Sequence, residues 1–262
     1  VTVNALPVTP IITASGPTTF CFGNSVDLTS SYVGGNTWST SATTDLININ
    51  AVGVYTIDVT QTDANGCSST SAPINVTVNA LPIAPIITAS GPTTFCFGNS
   101  VDLTSSYVGG NAWSTTATTD LISISAVGVY NIDVNHTDVN GCSATSAPIS
   151  VTVNALPATP IITANGPTTF CFGNSVDLTS SYVGGNTWSN AATTDAININ
   201  AVGVYTIDVT QTDVNGCSST SAPITVTVNA LPATPIITAS GPTSFCFGSS
   251  VYLTSSYVGG NP

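Results

Sequence analysis

Cysteine is the residue whose type and spacing most clearly indicate chemistry in this sequence. The cysteines recur every 75 residues, and in each complete period a second cysteine follows the first by 46 residues. Their positions are Cys21, Cys67, Cys96, Cys142, Cys171, Cys217 and Cys246. The spacing predicts one disulfide inside each complete period, between its two cysteines, formed in an oxidising compartment. Cys246 is expected to be unpaired, because the sequence stops before its partner position.

Zinc binding is the competing interpretation of these cysteines. Structural zinc sites usually combine closely spaced Cys and His ligands. No Cys-x-x-Cys spacing occurs here, and His136 is the only histidine. We therefore expect disulfides, with no metal and no other cofactor.

Catalytic residues are not indicated. His136 corresponds to Gln61 and Gln211 in the other complete periods, so a histidine general base does not recur in every period. Serine is abundant, but no serine has a basic partner that recurs with the period. The sequence contains no Lys and no Arg. An enzyme is not expected.

Asp63 and Asn65 are weak candidates for calcium ligands, together with Asp58. The Asp-x-Asn-Gly run resembles the start of a calcium loop, but the later bidentate Glu is missing and all twelve acidic residues are Asp. The alternative is that Asp63 and Asn65-Gly66 build a hairpin turn, and we favour the turn.

Two carbohydrate-related features are open to a second interpretation. Asn75 and Asn135 begin N-glycosylation patterns, but neither pattern recurs in every period, which favours chance. Trp38 and Tyr32 are candidates for a sugar-binding platform, but Trp38 is better explained as the centre of a small core.

Composition excludes several classes of partner. The net charge is −12, and only 5% of residues are charged. With no cation to neutralise phosphate, neither nucleic acid nor an anionic membrane surface is an expected partner. No apolar run approaches the roughly 20 residues that span a bilayer, so membrane insertion is not expected. A surface of Thr, Ser and Asn repels its own copies weakly, which favours lateral association.

The 75-residue repeat predicts the domain organisation. A fixed period of this kind indicates an array of equivalent modules. Each joint is an Asn-Ala-Leu-Pro stretch, such as Asn4 to Pro7. The expected segments are 1–5, the last strand of a preceding module; 6–80, 81–155 and 156–230, three complete modules; and 231–262, the first part of a further module. We expect the sequence to be a window on a longer protein.

Each module shows about seven short strands with alternating side chains and no helix pattern, which predicts an antiparallel β-sandwich. In module 6–80, Val26, Leu28, Trp38, Tyr55 and Ile57 are expected to point inward. The predicted core aromatics across the modules are Trp38, Trp113, Trp188, Tyr55, Tyr130 and Tyr205. A sandwich of this size is marginal without a crosslink, so reduction is expected to loosen each module.

Four stretches in fixed order resemble a known repeat family. They are Pro-Thr-Thr-Phe-Cys-Phe-Gly-Asn-Ser-Val-Asp-Leu-Thr at 17–29, the Trp38 region, Gly-Val-Tyr-Thr-Ile-Asp-Val at 53–59 and Asn-Gly-Cys-Ser at 65–68. The family is the Ig-like tandem repeat of giant cell-surface proteins of Bacteroidota, associated with gliding motility and type IX secretion. The resemblance implies tandem Ig-like sandwich modules and export to the cell surface. It departs from antibody-type domains because Cys67 lies at a hairpin, so its disulfide should pin one end of the sandwich.

Two functions follow from these observations as expectations. The first is a structural extracellular repeat protein that forms a protease-resistant rod or fibril on a bacterial surface, with copies of itself as partners. The alternative is a multivalent adhesin whose modules bind glycans or other cell surfaces. Exposed aromatic side chains at one spot in each module would favour adhesion.

Overall fold

The computed structural model describes residues 1–256, so the predicted end of the last partial module, 257–262, lies outside the described residues. Every regular element of the described part is a β-strand, which confirms the predicted all-β class. The chain divides into two compact units, Val1–Ala155 and Leu156–Pro262. We call 6–80 and 81–155 modules 1 and 2, 156–230 module 3, and 231–256 the terminal segment.

Each module contains nine strands, and the terminal segment contains two. In module 1 they are β1 (Ile12–Ala14), β2 (Thr19–Cys21), β3 (Val26–Ser30), β4 (Asn36–Trp38), β5 (Leu46–Ile49), β6 (Gly53–Ile57), β7 (Val59–Thr62), β8 (Ser68–Thr70) and β9 (Ile74–Asn79). In module 2 they are β10 (Ile87–Ala89), β11 (Thr94–Cys96), β12 (Val101–Ser105), β13 (Asn111–Trp113), β14 (Leu121–Ile124), β15 (Gly128–Ile132), β16 (Val134–Thr137), β17 (Ser143–Thr145) and β18 (Ile149–Asn154). In module 3 they are β19 (Ile162–Ala164), β20 (Thr169–Cys171), β21 (Val176–Ser180), β22 (Asn186–Trp188), β23 (Ala196–Ile199), β24 (Gly203–Ile207), β25 (Val209–Thr212), β26 (Ser218–Thr220) and β27 (Ile224–Asn229). In the terminal segment they are β28 (Ile237–Ala239) and β29 (Leu253–Ser255).

The nine strands correspond to seven Ig-type strands, because two long strands are interrupted. β6 and β7 form strand F, broken at Asp58, and β8 and β9 form strand G, broken before Ile74. Pro73 lies in the second break, where its missing N–H interrupts the hydrogen-bond ladder. The others are A (β1), A′ (β2), B (β3), C (β4) and E (β5).

Two sheets face each other in module 1. One has the order β1-β3-β5, and all its pairs are antiparallel. The other joins β2-β9-β6 and β4-β7-β8 through the shared strands F and G. Its only parallel pair is β2 with β9, at one edge. Modules 2 and 3 repeat this topology, and the terminal segment contains the antiparallel pair β28–β29.

The core of module 1 lies between these sheets. Alternation along the strands sends one side-chain set inward, as period-2 geometry requires. The buried set is Val26, Leu28, Trp38, Ile47, Ile49, Ile57, Val59, Val76 and Val78. Trp38 on strand C is 1% exposed. Tyr55 packs against the edge of this core, and its hydroxyl donates to the Ala51 carbonyl at 2.9 Å. A buried Trp on strand C and a tyrosine corner at the start of strand F are Ig-type features.

A polar network supports the loop between strands B and C. The buried Asn36 accepts from the Ser30 hydroxyl at 2.8 Å and donates to Asp45 Oδ1 at 2.8 Å. Asp45 Oδ1 also accepts from the Gly34 amide at 2.7 Å. These contacts satisfy the amide group of Asn36 where water is excluded. The network therefore ties the loop to Asp45, directly before strand E.

Candidate functional site: a disulfide between modules

Cys21 ends strand A′ at the edge of its sheet. It lies opposite Asn79 in the parallel pair β2–β9. The Phe22 amide continues this pairing by donating to the Asn79 carbonyl at 2.8 Å. Asn79 is the last residue of strand G, after which the chain leaves the module. Cys21 is therefore held at the end of module 1 from which module 2 begins.

Cys142 lies in the hairpin between β16 and β17. This hairpin is at the end of module 2 that is opposite Asn154, where the chain leaves the module. Asp138 Oδ1 accepts from the amides of Asn140 and Cys142, both at 2.9 Å. The Asp138 amide donates back to the Cys142 carbonyl at 2.9 Å. Gly141 has φ of 79°, a conformation that glycine adopts without strain. The hairpin thus places Cys142 at the start of strand G, one strand length from the exit of its own module.

Cys21 and Cys142 form a disulfide, with their Cα atoms 5.5 Å apart. The bond connects module 1 to module 2 across a sequence separation of 121 residues. Cys96 and Cys217, which occupy the equivalent positions one period further along, are also disulfide-bonded. Cys67, Cys171 and Cys246 are free thiols.

The structure therefore corrects the predicted pairing inside each module. Cys21 bonds to Cys142 instead of Cys67, and Cys171 is free although the spacing paired it with Cys217. The reason is the direction of strand G. Asn79, beside Cys21, lies 79 − 67 = 12 residues after Cys67 along an extended strand. At about 3.3 Å per residue this is about 40 Å, whereas a disulfide needs Cα atoms within about 7 Å.

The hairpin cysteines that are disulfide-bonded are more buried than the one that is free. Cys142 is 1% exposed and Cys217 is fully buried. Cys67, the free equivalent in module 1, is partly exposed. The local hairpin is the same in modules 1 and 2, because Asp63 Oδ1 accepts from the Asn65 and Cys67 amides at 2.9 Å each. The difference in burial therefore comes from the bonded neighbour.

The disulfide acts as a second covalent connection at the joint. The first is the backbone between Asn79 and Ile87, which contains Pro82 and Pro85. A single chain connection allows rotation about its backbone bonds, whereas two separate connections restrict the relative orientation of the modules. Chemically, the site is a covalent crosslink between modules 1 and 2.

Asp63 and Asn65, the weak calcium candidates, lie in the hairpin of module 1. The Asp63 carboxylate accepts two backbone amides of its own turn, which matches the hairpin interpretation. Among residues 1–256, no group of three or more His, Cys, Asp or Glu side chains lies close enough to hold a metal ion.

His136 lies in strand F of module 2 and packs against an aromatic ring. Its ring stacks on Tyr107 with centroids 3.8 Å apart and planes 9° apart. Gln61 and Gln211 are buried at the equivalent positions. The contact is a packing contact beside the strand B–C loop.

The predicted core aromatics lie in or against the three cores. Trp113 and Trp188 are buried like Trp38, and Tyr130 and Tyr205 pack at the core edge like Tyr55. The Trp38 ring nitrogen donates to the Thr44 carbonyl at 2.7 Å. Because Trp38 is buried, it does not form a surface platform for a sugar with Tyr32.

A different aromatic residue, which the repeat pattern did not indicate as a site, is exposed at one spot in each module. Phe22, Phe97 and Phe172 follow the A′ cysteine and are 50–52% exposed. Phe172 lines an open cleft of about 380 Å³ with Asn174, Ser175 and Asn200. Phe22 lines the equivalent cleft of about 370 Å³ in module 1. The available signal was the Gly-Asn break directly after Phe22, which ends the strand before its ring can enter the core.

Comparisons with known proteins give structural likenesses only. No protein-family model and no curated protein matches the sequence. An ICAM-5 ectodomain fragment is similar at 14% identity, over 84% of this chain and 75% of that chain, with a TM-score of 0.44. The three N-terminal domains of the Hoc protein of bacteriophage RB49 are similar at 15% identity, over 86% and 99%, with a TM-score of 0.35. SGBP-B of Bacteroides ovatus, in complex with a mixed-linkage heptasaccharide, is similar at 17% identity, over 88% and 72%, with a TM-score of 0.22.

The strand topology of the chain itself defines its class. Two facing sheets, a buried strand C tryptophan and a tyrosine corner recur in three consecutive modules. The chain is a tandem array of Ig-like β-sandwiches with a disulfide between modules 1 and 2. Within residues 1–256, no helix is long and apolar enough to cross a membrane.

Proposed function

We propose that this chain is a structural extracellular repeat protein that forms a rod or filament on a bacterial surface, of the kind found in Bacteroidota. The observation that carries the proposal is the Cys21–Cys142 bond between modules. A bond placed at a joint, and not inside a core, serves the connection between modules. Each such joint resists bending, so a repeated joint produces a stiff array.

The composition of the cores supports separate roles for the cores and the joint disulfide. Each module has its own buried cluster, and none of the three clusters includes a cysteine. Stability of such an array is approximately a sum over modules and their interfaces. The disulfide contributes to the interface, where stiffness is determined.

The composition supports an exposed location. Disulfides persist in oxidising compartments and are rare in the cytosol. The absence of Lys and Arg removes every cleavage site for trypsin-like proteases. A weakly charged surface of Thr, Ser and Asn also favours contact with copies of the same chain. These features suit a surface fibre exposed to proteases.

Small-angle X-ray scattering tests the proposal directly. The oxidised chain is compared with the Cys142→Ser variant, which keeps both cores and removes the joint crosslink. We expect a narrow, elongated distance distribution for the oxidised chain and a broader one for the variant. The Cys67→Ser variant is the matched control, because Cys67 occupies the same hairpin position and is free. Equal scattering from all three proteins would contradict the rod proposal.

A multivalent adhesin is the second candidate function, and the exposed phenylalanines favour it. Phe22, Phe97 and Phe172 form one exposed aromatic spot per module, beside polar groups such as Asn174 and Asn200. Aromatic faces with neighbouring amides and hydroxyls suit stacking and hydrogen bonding to sugars, and repetition would add avidity. A glycan array tests this candidate. Binding that disappears when all three residues are replaced by Ala supports adhesion, and the absence of binding contradicts it.

A further inference from the structure

The clefts beside the exposed phenylalanines of modules 1 and 3 carry polar side chains that the fold does not use. Within residues 1–256, the Asn50 amide and the Ser25 hydroxyl have no hydrogen-bond partner, and the equivalent side chains of module 3 have none either. Asn48, two residues before Asn50, differs because its amide donates to Asp27 Oδ1 at 2.7 Å. Each cleft therefore presents an aromatic ring, an uncommitted amide and an uncommitted hydroxyl to a ligand.

Both walls of the module 1 cleft are fixed by hydrogen bonds to the backbone. On one side, the Asn24 amide donates to the Cys21 carbonyl at 3.2 Å across the turn at Gly23, whose φ of 100° suits glycine. On the other side, the Tyr55 hydroxyl donates to the Ala51 carbonyl at 2.9 Å. The equivalent contacts of module 3 measure 3.3 and 3.1 Å. The two clefts are therefore formed before any ligand arrives, as is usual for small-molecule sites.

Charge restricts the ligand of these clefts to a neutral molecule. The chain has no Lys, no Arg and a net charge of −12. No guanidinium or ammonium side chain is therefore present to pair with a carboxylate or sulfate group. An acidic ligand would also approach against the field of the whole chain. The six lining residues of each cleft carry no charge themselves.

We propose, building on the adhesin function proposed above, that the clefts of modules 1 and 3 bind neutral glycans. One pyranose ring stacks on the phenylalanine, and its hydroxyls bond to the asparagine amide and the serine hydroxyl. A pyranose has an apolar C–H face for the aromatic ring, and its neighbouring hydroxyls match the separate donor and acceptor groups of an amide. The cleft volumes of about 370 and 380 Å³ lie within the range of about 300–1,000 Å³ for small-molecule sites.

Module 2 keeps the phenylalanine, Phe97, but lacks the asparagine. Ser125 occupies the position of Asn50 and Asn200. A serine side chain is shorter than asparagine, and its donor and acceptor share one oxygen atom, whereas an amide provides them on two atoms. We therefore expect two glycan sites in residues 1–256, in modules 1 and 3, and at least tenfold weaker binding in module 2.

Native mass spectrometry of the oxidised full chain counts the bound ligands. The neutral probes are cellohexaose, xylohexaose and chitohexaose. The acidic probe is the glucuronate counterpart of cellohexaose, which carries a carboxylate on each ring. Adducts that remain in the Phe22→Ala, Phe172→Ala double variant are subtracted as non-specific. We expect at least one neutral probe to bind with two molecules per chain, and the acidic probe not to bind.

Exchange of asparagine and serine between the modules tests the assignment of the sites. Asn50→Ser with Asn200→Ser gives modules 1 and 3 the lining of module 2, and should weaken binding at least tenfold. The reverse change, Ser125→Asn, should raise the number of bound molecules from two to three, a gain that misfolding cannot produce. Asn75→Ser is the matched control, because module 2 has Ser150 there and the position lies outside the cleft. Binding should be unchanged in this control.

The outcomes distinguish failure of these sites from failure of the adhesin function. Undiminished binding in the double serine variant, or a count that Ser125→Asn does not change, would overturn the proposed sites and leave the adhesin function intact. Specific binding of the acidic probe would overturn the ligand class. If no neutral probe binds, the proposed sites are wrong, and a glycan array without signal would then also contradict the adhesin function. Circular dichroism of each variant confirms that the modules are folded.

Discussion

Cys21 and Asn79 are partners in the parallel pair between strands A′ and G. This pairing places Cys21 at the exit of its module and leaves Cys67 at the far end of strand G. The disulfide therefore cannot close within one module and joins Cys21 to the next module instead. The pairing of strands A′ and G thus determines that the repeated cysteines connect two modules.

Reduction is expected to loosen the joint and to leave the sandwiches folded. The cores contain no cysteine, so near-UV circular dichroism and tryptophan fluorescence in reductant should match those of the oxidised chain. Loss of the Cys21–Cys142 bond, which spans 121 residues, lowers the free energy of unfolding by at most about 5 kcal/mol, shared by two modules, and reductant also breaks the bonds of Cys96 and Cys217. Urea titration of oxidised and reduced protein measures this change. Loss of the near-UV signal in reductant at 25 °C would show that the bond supports the cores.

The Asp138→Ala variant is expected to weaken the inter-module bond. The Asp138 carboxylate accepts the amides of Asn140 and Cys142, and hydrogen bonds to a charged group contribute about 1.5–3 kcal/mol. A looser hairpin presents Cys142 less often in the bonding position. We expect the equilibrium constant for bond formation against glutathione to fall roughly tenfold, which corresponds to about 1.4 kcal/mol.

The matched control for that experiment is Asp63→Ala. It removes the same carboxylate from the module 1 hairpin, whose Cys67 is free. Formation of the Cys21–Cys142 bond should be unchanged in this variant. If both variants shift the equilibrium equally, the effect of Asp138 is not exerted through its own hairpin.

The repeat made much of the fold predictable. Alternation identified the strands that carry Val26 and Leu28, and both side chains are buried. Asn65-Gly66 predicted a tight hairpin, and the Gly66 amide donates to the Asp63 carbonyl at 3.0 Å within that turn. These features depend on residues close together in the chain, which local patterns describe well.

The disulfide partner was not predictable from the same periodicity. A spacing of 46 residues and the observed separation of 121 differ by one 75-residue period, so both connect the same two repeat positions. To choose between these two separations, one must know that Cys21 pairs with Asn79, 58 residues away, in a parallel strand pair. The exposure of Phe22 depends on the same sandwich end, so the candidate cleft was missed for the same reason.

Replacing all three corner tyrosines by Phe is expected to destabilise every module equally. The hydroxyls of Tyr55, Tyr130 and Tyr205 donate to the carbonyls of Ala51, Ala126 and Ala201 at 2.9–3.1 Å. Each lost hydrogen bond should lower the free energy of unfolding of its module by about 1 kcal/mol. Urea unfolding should show a lower midpoint with an unchanged m-value. An unchanged midpoint would show that the corner hydrogen bond contributes nothing net.

Gly35→Ala should destabilise module 1 much more than Gly34→Ala. Both residues have positive φ, 70° and 75°, so each substitution carries a similar backbone cost of about 1–2 kcal/mol. A Cβ at Gly34 would meet no atom within 4 Å, whereas one at Gly35 would lie 2.5 Å from the Thr62 carbonyl oxygen. That carbonyl belongs to strand F, so the clash pushes the strand B–C loop away from the hairpin. This movement breaks the hydrogen bond that the Thr62 amide donates to the Gly35 carbonyl at 2.9 Å.

We expect Gly35→Ala to lower the free energy of unfolding by about 1–3 kcal/mol more than Gly34→Ala, the usual range for overpacking. Urea unfolding of the two variants measures the difference directly. Equal midpoints would mean that the loop moves aside freely, and that the contact between Gly35 and Thr62 does not hold the hairpin in place.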